Sequence, residues 1–492
     1  MEFDLQLNGL TAALVALAAG LIAVLPRRTT MIPILVAFCF LPADQYVKIV
    51  GLHFYLFRLV LLVSLVRVLA RGELTSVRWC RLDTIVLLWM TAFMGLGTIS
   101  HPGWASFIMQ TGTTFDWLTS YIVCRALVRD RSDLLRQARF LAIMMIPLAA
   151  AMTVERVTER NVFSVLGDSV AFPGDDDEIE VMFRDGKVRA RAAFSHPILA
   201  GTFGATMLPL MMGLVRFRNR GLRWSGVAGA FSAALVIWGA NSSGPMLAAF
   251  GSIAALFIWN LRHSLRLVRV GLVLILLMLQ AGMSRPIWWI FDSVSALSGG
   301  TGWHRSYIID AAISHWDEWW LVGTPRTVHW GGFHAPPRDP NNVDITNEYI
   351  VQAVNGGILT LFLFLAMIWI CFNRIGYAFS AKRGSITRQT EWLAWCTGVA
   401  LLSHCISFLS VAYYDKTIFY FFWLLSAIAA GAIERSWLTC DQPAPSGRGL
   451  AKQQAILRAG ADGVGLSGAI RAMPHAQSIV GLRPRRPQPF RR

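Results

Sequence analysis

The stretch DITNEYIVQAVNGGILTLFLFLAMIWIC, residues 344–371, opens on polar residues and continues as an apolar run long enough to cross a bilayer. A spanning helix needs roughly 20 consecutive, mostly apolar residues. The same pattern, a short polar or basic segment followed by an apolar run, repeats along most of the chain. The sequence therefore predicts a polytopic membrane protein. Residues 283–357, which join a long polar segment to this stretch, are where we expect its chemistry.

Composition supports the membrane class. The chain has 492 residues, of which 55% are hydrophobic and only 15% charged, whereas soluble domains carry about 25% charged residues. The net charge of +16 comes mainly from short Arg and Lys clusters between apolar runs, a pattern that sets orientation in a bilayer and does not indicate nucleic-acid binding. The cysteines form no C-x-x-C pair, so neither a disulfide framework nor a structural zinc site is indicated. The acidic N-terminus lacks a cleavage site, which predicts a retained first span.

About thirteen apolar runs are candidate transmembrane helices, which predicts an all-α fold. Polar residues and helix breakers interrupt the second and fifth runs, which could each be re-entrant instead. The runs cover residues 8–25, 30–46, 50–69, 82–100, 107–127, 135–154, 196–215, 224–241, 244–260, 267–283, 348–372, 391–411 and 416–434.

The basic clusters follow the odd-numbered runs, which predicts an N-terminus outside and a C-terminus in the cytoplasm. Both long polar segments then lie outside, in the periplasm if the membrane is a bacterial inner membrane. The predicted organisation is N-terminal transmembrane helices (1–154), a first periplasmic segment (155–195), central transmembrane helices (196–283), a large periplasmic loop with an amphipathic helix (284–343), C-terminal transmembrane helices (344–434) and a basic tail of disordered composition (435–492).

The first polar segment carries an acidic run, residues 175–178, followed by Arg189 and Arg191. Carboxylate oxygens can bind a divalent cation, but a solvated loop is the interpretation we favour. The two arginines are two residues apart, so in an extended chain both guanidinium groups project to one side. Their planar forks of donors suit phosphate.

Three predicted helices begin with capping residues on the same predicted side of the membrane. Ser195 or His196 caps a helix with Pro197 in its first turn, and similar starts occur at 242–245 and 344–347. The positive end of each helix dipole would lie at this surface. Any one start is explained by ordinary capping, whereas three that cluster in space would form an anion site.

Residues 303–321 of the second polar segment follow helical spacing, which predicts an amphipathic helix along the headgroup layer. Arg305 lies on its apolar stripe. It could reach lipid phosphate as a long cationic side chain at the interface, or grip a lipid-linked diphosphate at that depth. Further on, His329 and His334 match no zinc pattern such as H-E-x-x-H, so the sequence predicts no metal site.

Three patches resemble the O-antigen ligase and polysaccharide polymerase family of bacterial inner membranes. These are RARAAFSHPILAG at 189–201, NSSGP at 241–245, and NEY at 347–349 with the glycine pair at 356–357. Over most of the chain the likeness is one of topology, with many spans and a large late periplasmic loop. It is specific only in these three patches.

The resemblance implies an all-helical C-type glycosyltransferase that moves a glycan from an undecaprenyl diphosphate carrier to an acceptor hydroxyl. Family ligases carry a His just ahead of the Asn, where this chain has Ile345 and Thr346. That difference favours a polymerase that builds exopolysaccharide or O-antigen. The alternatives are a ligase that transfers glycan to a lipid or protein, a flippase or other transporter of lipid-linked oligosaccharide, and a non-catalytic assembly partner.

The residues that match family arginines, Arg189 or Arg191 and more loosely Arg305, are expected to hold the diphosphate. Our hypothesis makes Arg191, Arg305 and Asp344 catalytic, with the arginines offsetting charge on the leaving group and Asp344 accepting the acceptor's proton. If Asp344 is not the base, the alternatives are His329, His334 and Glu348. The expected substrate-binding residues are Arg189, His196, Ser243, Asn347 and Tyr349.

The expected partners follow from the same resemblance. They are the undecaprenyl-diphosphate-linked glycan, the growing polysaccharide chain, membrane lipid and other polysaccharide-assembly proteins. No nucleic acid, cofactor or metal is expected.

Overall fold

The computed structural model describes residues 8–43, 45–49, 52–166, 182–184, 186–296, 302–331, 341–380 and 387–433. The acidic run at 175–178 and the tail from 435 lie outside these ranges. The helices of the described ranges are α1 (Gly9–Val24), α2 (Arg27–Phe40), α3 (Leu56–Ala70), α4 (Arg81–Ser100), α5 (Trp104–Leu127), α6 (Arg131–Thr158), α7 (Pro197–Val215), α8 (Arg220–Ala240), α9 (Ser243–Phe257), α10 (Leu265–Gly282), α11 (Ile290–Ala296), α12 (Gly302–Ser314), α13 (Trp316–Trp319), α14 (Glu348–Ser380), α15 (Arg388–Phe408) and α16 (Ile418–Ile433).

Helices dominate the described chain, and each of the thirteen apolar runs falls on one of them. Five helices are long and apolar enough to cross a membrane, and a bent pair on either side of Met283 would make a sixth if counted as one span. The five are Arg81–Ser100, Arg131–Thr158, Pro197–Val215, Ser243–Ser264 and Glu348–Tyr377. The helical membrane class is therefore supported, whereas the count of thirteen spans stays a prediction.

Two antiparallel strand pairs qualify the all-α prediction. The strands are β1 (Tyr46–Ile49), β2 (Leu52–Tyr55), β3 (Met182–Arg184) and β4 (Lys187–Arg189), with β1 paired to β2 and β3 to β4. The third predicted span, 50–69, thus begins as a strand and becomes helical only at Leu56. Gly186, with a φ of +70°, makes the tight turn of the second pair, which brings Arg184 and Arg189 onto one short hairpin.

Helix α7 is a buried centre that packs against α8, α9 and α15. Its glycines allow this close approach, because a Cβ at Gly201 would lie 2.8 Å from the Ala240 side chain and 2.9 Å from that of Pro245. Pro245 lies in the first turn of α9. The missing side chain at Gly201 therefore lets α9 begin directly beside the start of α7.

The predicted single helix over 303–321 is two helices, α12 and α13, separated at His315. The ring Nδ1 of His315 lies 2.9 Å from the Ala311 carbonyl oxygen, a local side-chain contact that competes with continued helix. The predicted apolar stripe is also divided, since Arg305 is buried in the protein. The exposed large apolar side chains of this region are Trp303, Ile313, Trp316, Trp320 and Leu321.

Helix α14 is broken at Gly356 and Gly357, the pair that marked the third family-like patch. The backbone N–H of Ile358 donates to the Trp320 carbonyl at 2.9 Å. A Cβ at Gly357 would lie 2.5 Å from the Leu321 carbonyl oxygen, and its φ of +67° also favours glycine. The glycine pair therefore lets the end of α13 dock against the break.

Candidate functional site

A cavity of about 310 Å³ joins the two polar segments. We call it the arginine pocket. Of the sequence-predicted site residues, Arg189, His196 and Arg305 line it. The full lining is Phe183, Arg184, Arg189, His196, Ile198, Ser242, His304, Arg305, Thr346 and Ser410.

The three helix starts singled out in the sequence meet at this pocket. His196 is the N-cap of α7 and Ser242 the N-cap of α9, and both line the cavity. Thr346, one residue before the Asn347 cap of α14, lines it as well. The positive ends of three helix dipoles therefore converge on one cavity, an arrangement suited to an anion.

The pocket carries positive charge that its described lining does not neutralise, because no Asp or Glu is among these residues. Arg305 is 7% exposed and donates from Nη1 to Ser243 Oγ at 3.1 Å. Burial, with the nearby Arg184 and Arg189, lowers the pKa of Arg305 to about 10. Burial and Arg184 likewise lower the pKa of Arg189 to about 10. The positive charges of these arginines repel one another, and a bound anion would offset that repulsion.

Two buried polar atoms of the pocket residues have no hydrogen-bond partner among the described residues. They are Nε of Arg189 and Oγ of Ser242. Leaving a buried donor unsatisfied costs about 1–3 kcal/mol, so such atoms call for a ligand or water. Both atoms can donate to an anionic oxygen.

His196 is a neutral donor at this site. Its Nδ1 accepts a hydrogen bond from the Ile198 backbone N–H at 3.1 Å, which leaves the proton of the neutral ring on Nε2. Burial lowers the pKa of His196 to about 3, with further lowering from Arg189 and Arg191. The ring therefore stays neutral near pH 7, with an Nε2–H group to offer.

His304 is a pocket residue that our sequence reasoning missed, although it directly precedes Arg305. Its Nδ1 lies 3.4 Å from Thr346 Oγ1, at the position just ahead of Asn347. Burial lowers the pKa of His304, Asp344 raises it, and Arg305 lowers it further. Asp344 does not line the pocket, and loss of hydration raises its pKa while His304 lowers it. The two residues thus form an interacting pair beside the cavity.

Comparison with known proteins adds no family assignment. No protein-family model matches the chain, and no curated protein matches it. The likeness to O-antigen ligases and polymerases therefore rests on the three patches. Two of them, 189–201 and 241–245, supply lining residues of the arginine pocket.

Arg191 is not among the residues that line the pocket, so the structure brings Arg189 but not Arg191 to this cavity. Strand β4 ends at Arg189, and Ala192 turns the chain with a φ of +50°. The Glu155 carboxylate accepts the backbone N–H groups of Arg191 at 3.0 Å and Ala192 at 2.8 Å. The buried Arg191 side chain donates to the Ser195 carbonyl at 3.3 Å. Glu155, also missed from sequence, thus fixes the turn that presents Arg189.

Asn347 and Tyr349 serve the start of α14 and are not pocket-lining residues. Asn347 Oδ1 accepts the backbone N–H groups of Tyr349 at 3.0 Å and Ile350 at 3.2 Å, the geometry of a helix cap. The Tyr349 hydroxyl donates to the Cys405 carbonyl at 3.1 Å. Both side chains are engaged within the protein, so the sugar-orienting role expected for them lacks geometric support.

Of the alternative bases that the structure describes, neither Glu348 nor His329 lines the pocket. The Glu348 carboxylate accepts the Tyr413 backbone N–H and the Gln352 side-chain amide, both at 2.7 Å. Both oxygens of Glu348 therefore already accept hydrogen bonds inside the helix bundle. His329 is not a lining residue, and His334 lies outside the described residues.

Proposed function

We propose that this protein is a membrane glycosyltransferase that polymerises undecaprenyl-diphosphate-linked repeat units into exopolysaccharide or O-antigen. In this proposal thirteen spans cross a bacterial inner membrane, the N-terminus is periplasmic, the C-terminus is cytoplasmic, and the pocket opens to the periplasm. The observation that carries the proposal is the arginine pocket, a cationic cavity at three helix starts, where two buried donors have no partner among the residues that the structure describes.

The pocket suits the diphosphate of the carrier. Arg189 and Arg305 offer planar forks of donors to phosphate oxygens, and Ser242 Oγ and His196 Nε2 add neutral donors. In the transfer step the acceptor oxygen bonds to the anomeric carbon while the bond from that carbon to the diphosphate oxygen breaks. The diphosphate leaves with the electron pair, and the fixed positive charges stabilise the negative charge that develops.

His304 is our candidate for the general base, with Asp344 as its partner. A base must be unprotonated at the working pH and must lie within reach of the proton it takes. Burial keeps the pKa of His304 low, so its ring is neutral near pH 7. The acceptor hydroxyl proton moves to His304, and the Asp344 carboxylate stabilises the imidazolium that forms. This assigns Asp344 a supporting role in place of the direct one predicted from sequence.

The opposite end of the bundle supports the membrane orientation. Arg216 lies 3.7 Å from the Trp392 ring centroid, and Arg262 lies 4.1 Å from that of Trp259. Tryptophan is enriched at membrane interfaces, and Arg on the cytoplasmic side. The arginine pocket, at the other ends of α7 and α9, would then face the periplasm.

A ligase is the second candidate, and His304 is the observation that favours it. Family ligases place a His just ahead of the Asn, and here the His304 ring reaches that position from a neighbouring helix. Products separate the two functions in cells. Loss of a polymerase leaves single repeat units, whereas loss of a ligase leaves long chains that are not attached.

The deciding experiment is incubation of the purified protein with a defined lipid-linked repeat unit. We expect polymer and free carrier diphosphate, and about 10²–10³-fold slower formation of both with Arg305→Gln at equal protein concentration. Attachment to an added lipid acceptor without chain growth would instead identify a ligase. No turnover by the wild-type protein with a range of lipid-linked donors would overturn the glycosyltransferase proposal.

A further inference from the structure

We propose that His315, Glu318 and His329 form a binding site for one divalent transition-metal ion, with Zn²⁺ the best-suited. These residues lie on the second polar segment and none lines the arginine pocket. The site is therefore distinct from the one proposed for the diphosphate. It also differs from the sequence-based expectation that no metal is bound.

The three side chains lie close enough together to bind one metal ion after a small adjustment. One nitrogen of each imidazole and one carboxylate oxygen lie within 4.8 Å of one another. His329 Nε2 is already 2.9 Å from both oxygens of Glu318. Four-coordinate Zn²⁺ with bonds of about 2.0–2.1 Å separates its ligand atoms by about 3.4 Å. A small rotation of partly exposed side chains is therefore enough to close the set around an ion.

His315 is held in the tautomer that a ligand needs. Its Nδ1 lies 2.9 Å from the Ala311 carbonyl oxygen, and a carbonyl can only accept a hydrogen bond. Nδ1 therefore carries the proton of the neutral ring, and the lone pair is left on Nε2. Metal-binding histidines almost always donate their second nitrogen to a carbonyl or carboxylate in this way.

Trp330 supports two members of the set, Glu318 and His315. Its indole Nε1 donates to Glu318 Oε2 at 3.1 Å, so Oε1 is the oxygen that would bind an ion in place of its present contact with His329 Nε2. Its ring stacks on His315, with centroids 5.5 Å apart and planes inclined by 14°. The Trp330 side chain is itself buried. The cluster thus has a second layer of contacts that orients its ligands.

The ligand chemistry selects the kind of ion. Two imidazoles and one carboxylate suit zinc and neighbouring transition metals, whereas Ca²⁺ and Mg²⁺ prefer oxygen ligands. Three protein ligands leave a fourth position for water or a substrate oxygen. Glu318 and His329 are exposed, so this position is open to solvent.

The position of the site in the fold suggests its consequence. His315 separates α12 from α13, and His329 lies in the 3₁₀ turn Val328–Trp330. A shared ion would join these two parts of the second polar segment. Helix α12 carries His304 and Arg305 into the arginine pocket. The ion would therefore steady the far end of the helix that presents them.

The alternative is that His329 and Glu318 form only a hydrogen bond, with His315 nearby by coincidence. In that case replacement of His315 would not change metal binding, and Zn²⁺ would bind no more tightly than it does to scattered surface histidines. Metal titration of the three single variants separates the two possibilities.

The test uses the full-length protein in detergent micelles, carrying an affinity tag without histidine and stripped of metal with a chelator. We expect one equivalent of Zn²⁺ to bind, and Co²⁺ to give the visible absorption of a four-coordinate site. His315→Ala, Glu318→Gln and His329→Ala should each weaken Zn²⁺ binding by more than about 100-fold, beyond the loss caused by an outer-layer partner. Trp330→Phe keeps the ring but removes the donor, and should weaken binding by about 10-fold.

Asp317→Asn is the matched control, since it removes a neighbouring exposed carboxylate outside the cluster and should leave binding unchanged. Thermal melting without metal shows whether each variant is folded, and added Zn²⁺ should raise the melting temperature of the wild type and of Asp317→Asn but not that of the three ligand variants. Equal Zn²⁺ affinity in the wild type and the folded His315→Ala variant would overturn the proposal. Because binding is measured without substrate, this result is independent of any failure of the proposed glycosyltransferase activity.

Discussion

The protein uses its buried and half-buried arginines in two contrasting ways. Among the N-terminal helices, Arg125 donates from Nε to Asp83 at 2.6 Å, and Arg67 donates to Glu73 at 2.5 Å. In the arginine pocket, Arg189 and Arg305 have no carboxylate partner among the described residues. Arg67 and Arg125 are each neutralised by a carboxylate of the protein itself. Arg189 and Arg305 would be neutralised by a bound anion.

The difference separates structural from functional charge. A buried ion pair satisfied within the protein leaves nothing for a ligand, and its value lies in holding helices together. A buried arginine without such a partner keeps its donors available, at a cost in folding free energy. Arg189 belongs to the second kind, because its buried Nε has no hydrogen-bond partner in the described part of the chain. Replacing members of the two groups should therefore produce opposite patterns of stability and activity.

The largest expected effect is on stability, from Asp83→Asn. Asp83 accepts hydrogen bonds from Arg125, from the Tyr121 hydroxyl at 2.7 Å and from the Cys80 backbone at 2.7 Å. Removing one member of a buried pair leaves the other charge unpaired, which costs about 3–5 kcal/mol. Thermal or denaturant unfolding in micelles measures the loss. The double variant Asp83→Leu with Arg125→Met should recover most of it; no recovery would show that the pair is not the cause.

Replacing a pocket arginine should instead reduce activity. Arg305→Gln removes a donor aimed at the leaving group, and we expect transfer to fall by about 10²–10³-fold. Its unfolding free energy should not fall, because a charge without a partner has been removed. Arg305→Lys should recover only part of the rate, since Lys lacks the planar fork.

Arg285→Gln is the matched control for this measurement. Arg285 lies on the same segment and stacks on Trp289, 4.7 Å from the ring centroid, outside the pocket. Transfer should remain at the wild-type rate in this variant. If both arginine variants lost the same activity, the loss would come from a general disturbance of the segment and not from removal of the Arg305 charge beside the leaving group.

The His304–Asp344 pair gives a pH-dependent test. The base must be neutral, so activity should fall as pH drops through the pKa of His304, which burial places below its ordinary value near 6.5. Asp344 raises that pKa, so Asp344→Asn should move the acid limb to still lower pH and reduce the maximal rate. His304→Gln should lower the transfer rate by about 100-fold, and the remaining rate should no longer fall at acid pH. An acid limb unchanged in His304→Gln would contradict His304 as the base.

Much of the fold and part of the pocket could be predicted from sequence. Apolar runs of spanning length predict the helix positions well, because in a bilayer every backbone polar group must bond within a helix. Of the residues predicted to begin helices, His196 and Ser242 are the N-caps of α7 and α9. Sequence pointed to Arg189 because it lies in a family-like patch with a second arginine, and to Arg305 because a charge on an apolar stripe is unusual.

The remaining site residues depend on contacts between distant parts of the chain. His304 is recognised only by its approach to Thr346, 42 residues later. The turn that separates Arg191 from Arg189 is held by Glu155, 36 residues before Arg191. Spacing rules that assume one continuous strand cannot anticipate such a turn. His315, Glu318 and His329 likewise match no zinc spacing, because a helix break and a separate turn bring them together.

The smallest expected effect is stabilisation of the protein by inorganic pyrophosphate. It tests directly whether the pocket arginines differ from the paired arginines of the N-terminal helices. If the pocket arginines lack a counter-charge, pyrophosphate should raise the melting temperature of the wild-type protein, by about 1.4 kcal/mol of added stability at ten times its Kd. The double variant Arg189→Gln, Arg305→Gln should show no such gain. Asp83→Asn, whose pocket is intact, should keep the full gain despite its lower starting stability. Equal stabilisation of the double variant and the wild type would mean that pyrophosphate binds elsewhere, and the distinction between the two groups of arginines would fail.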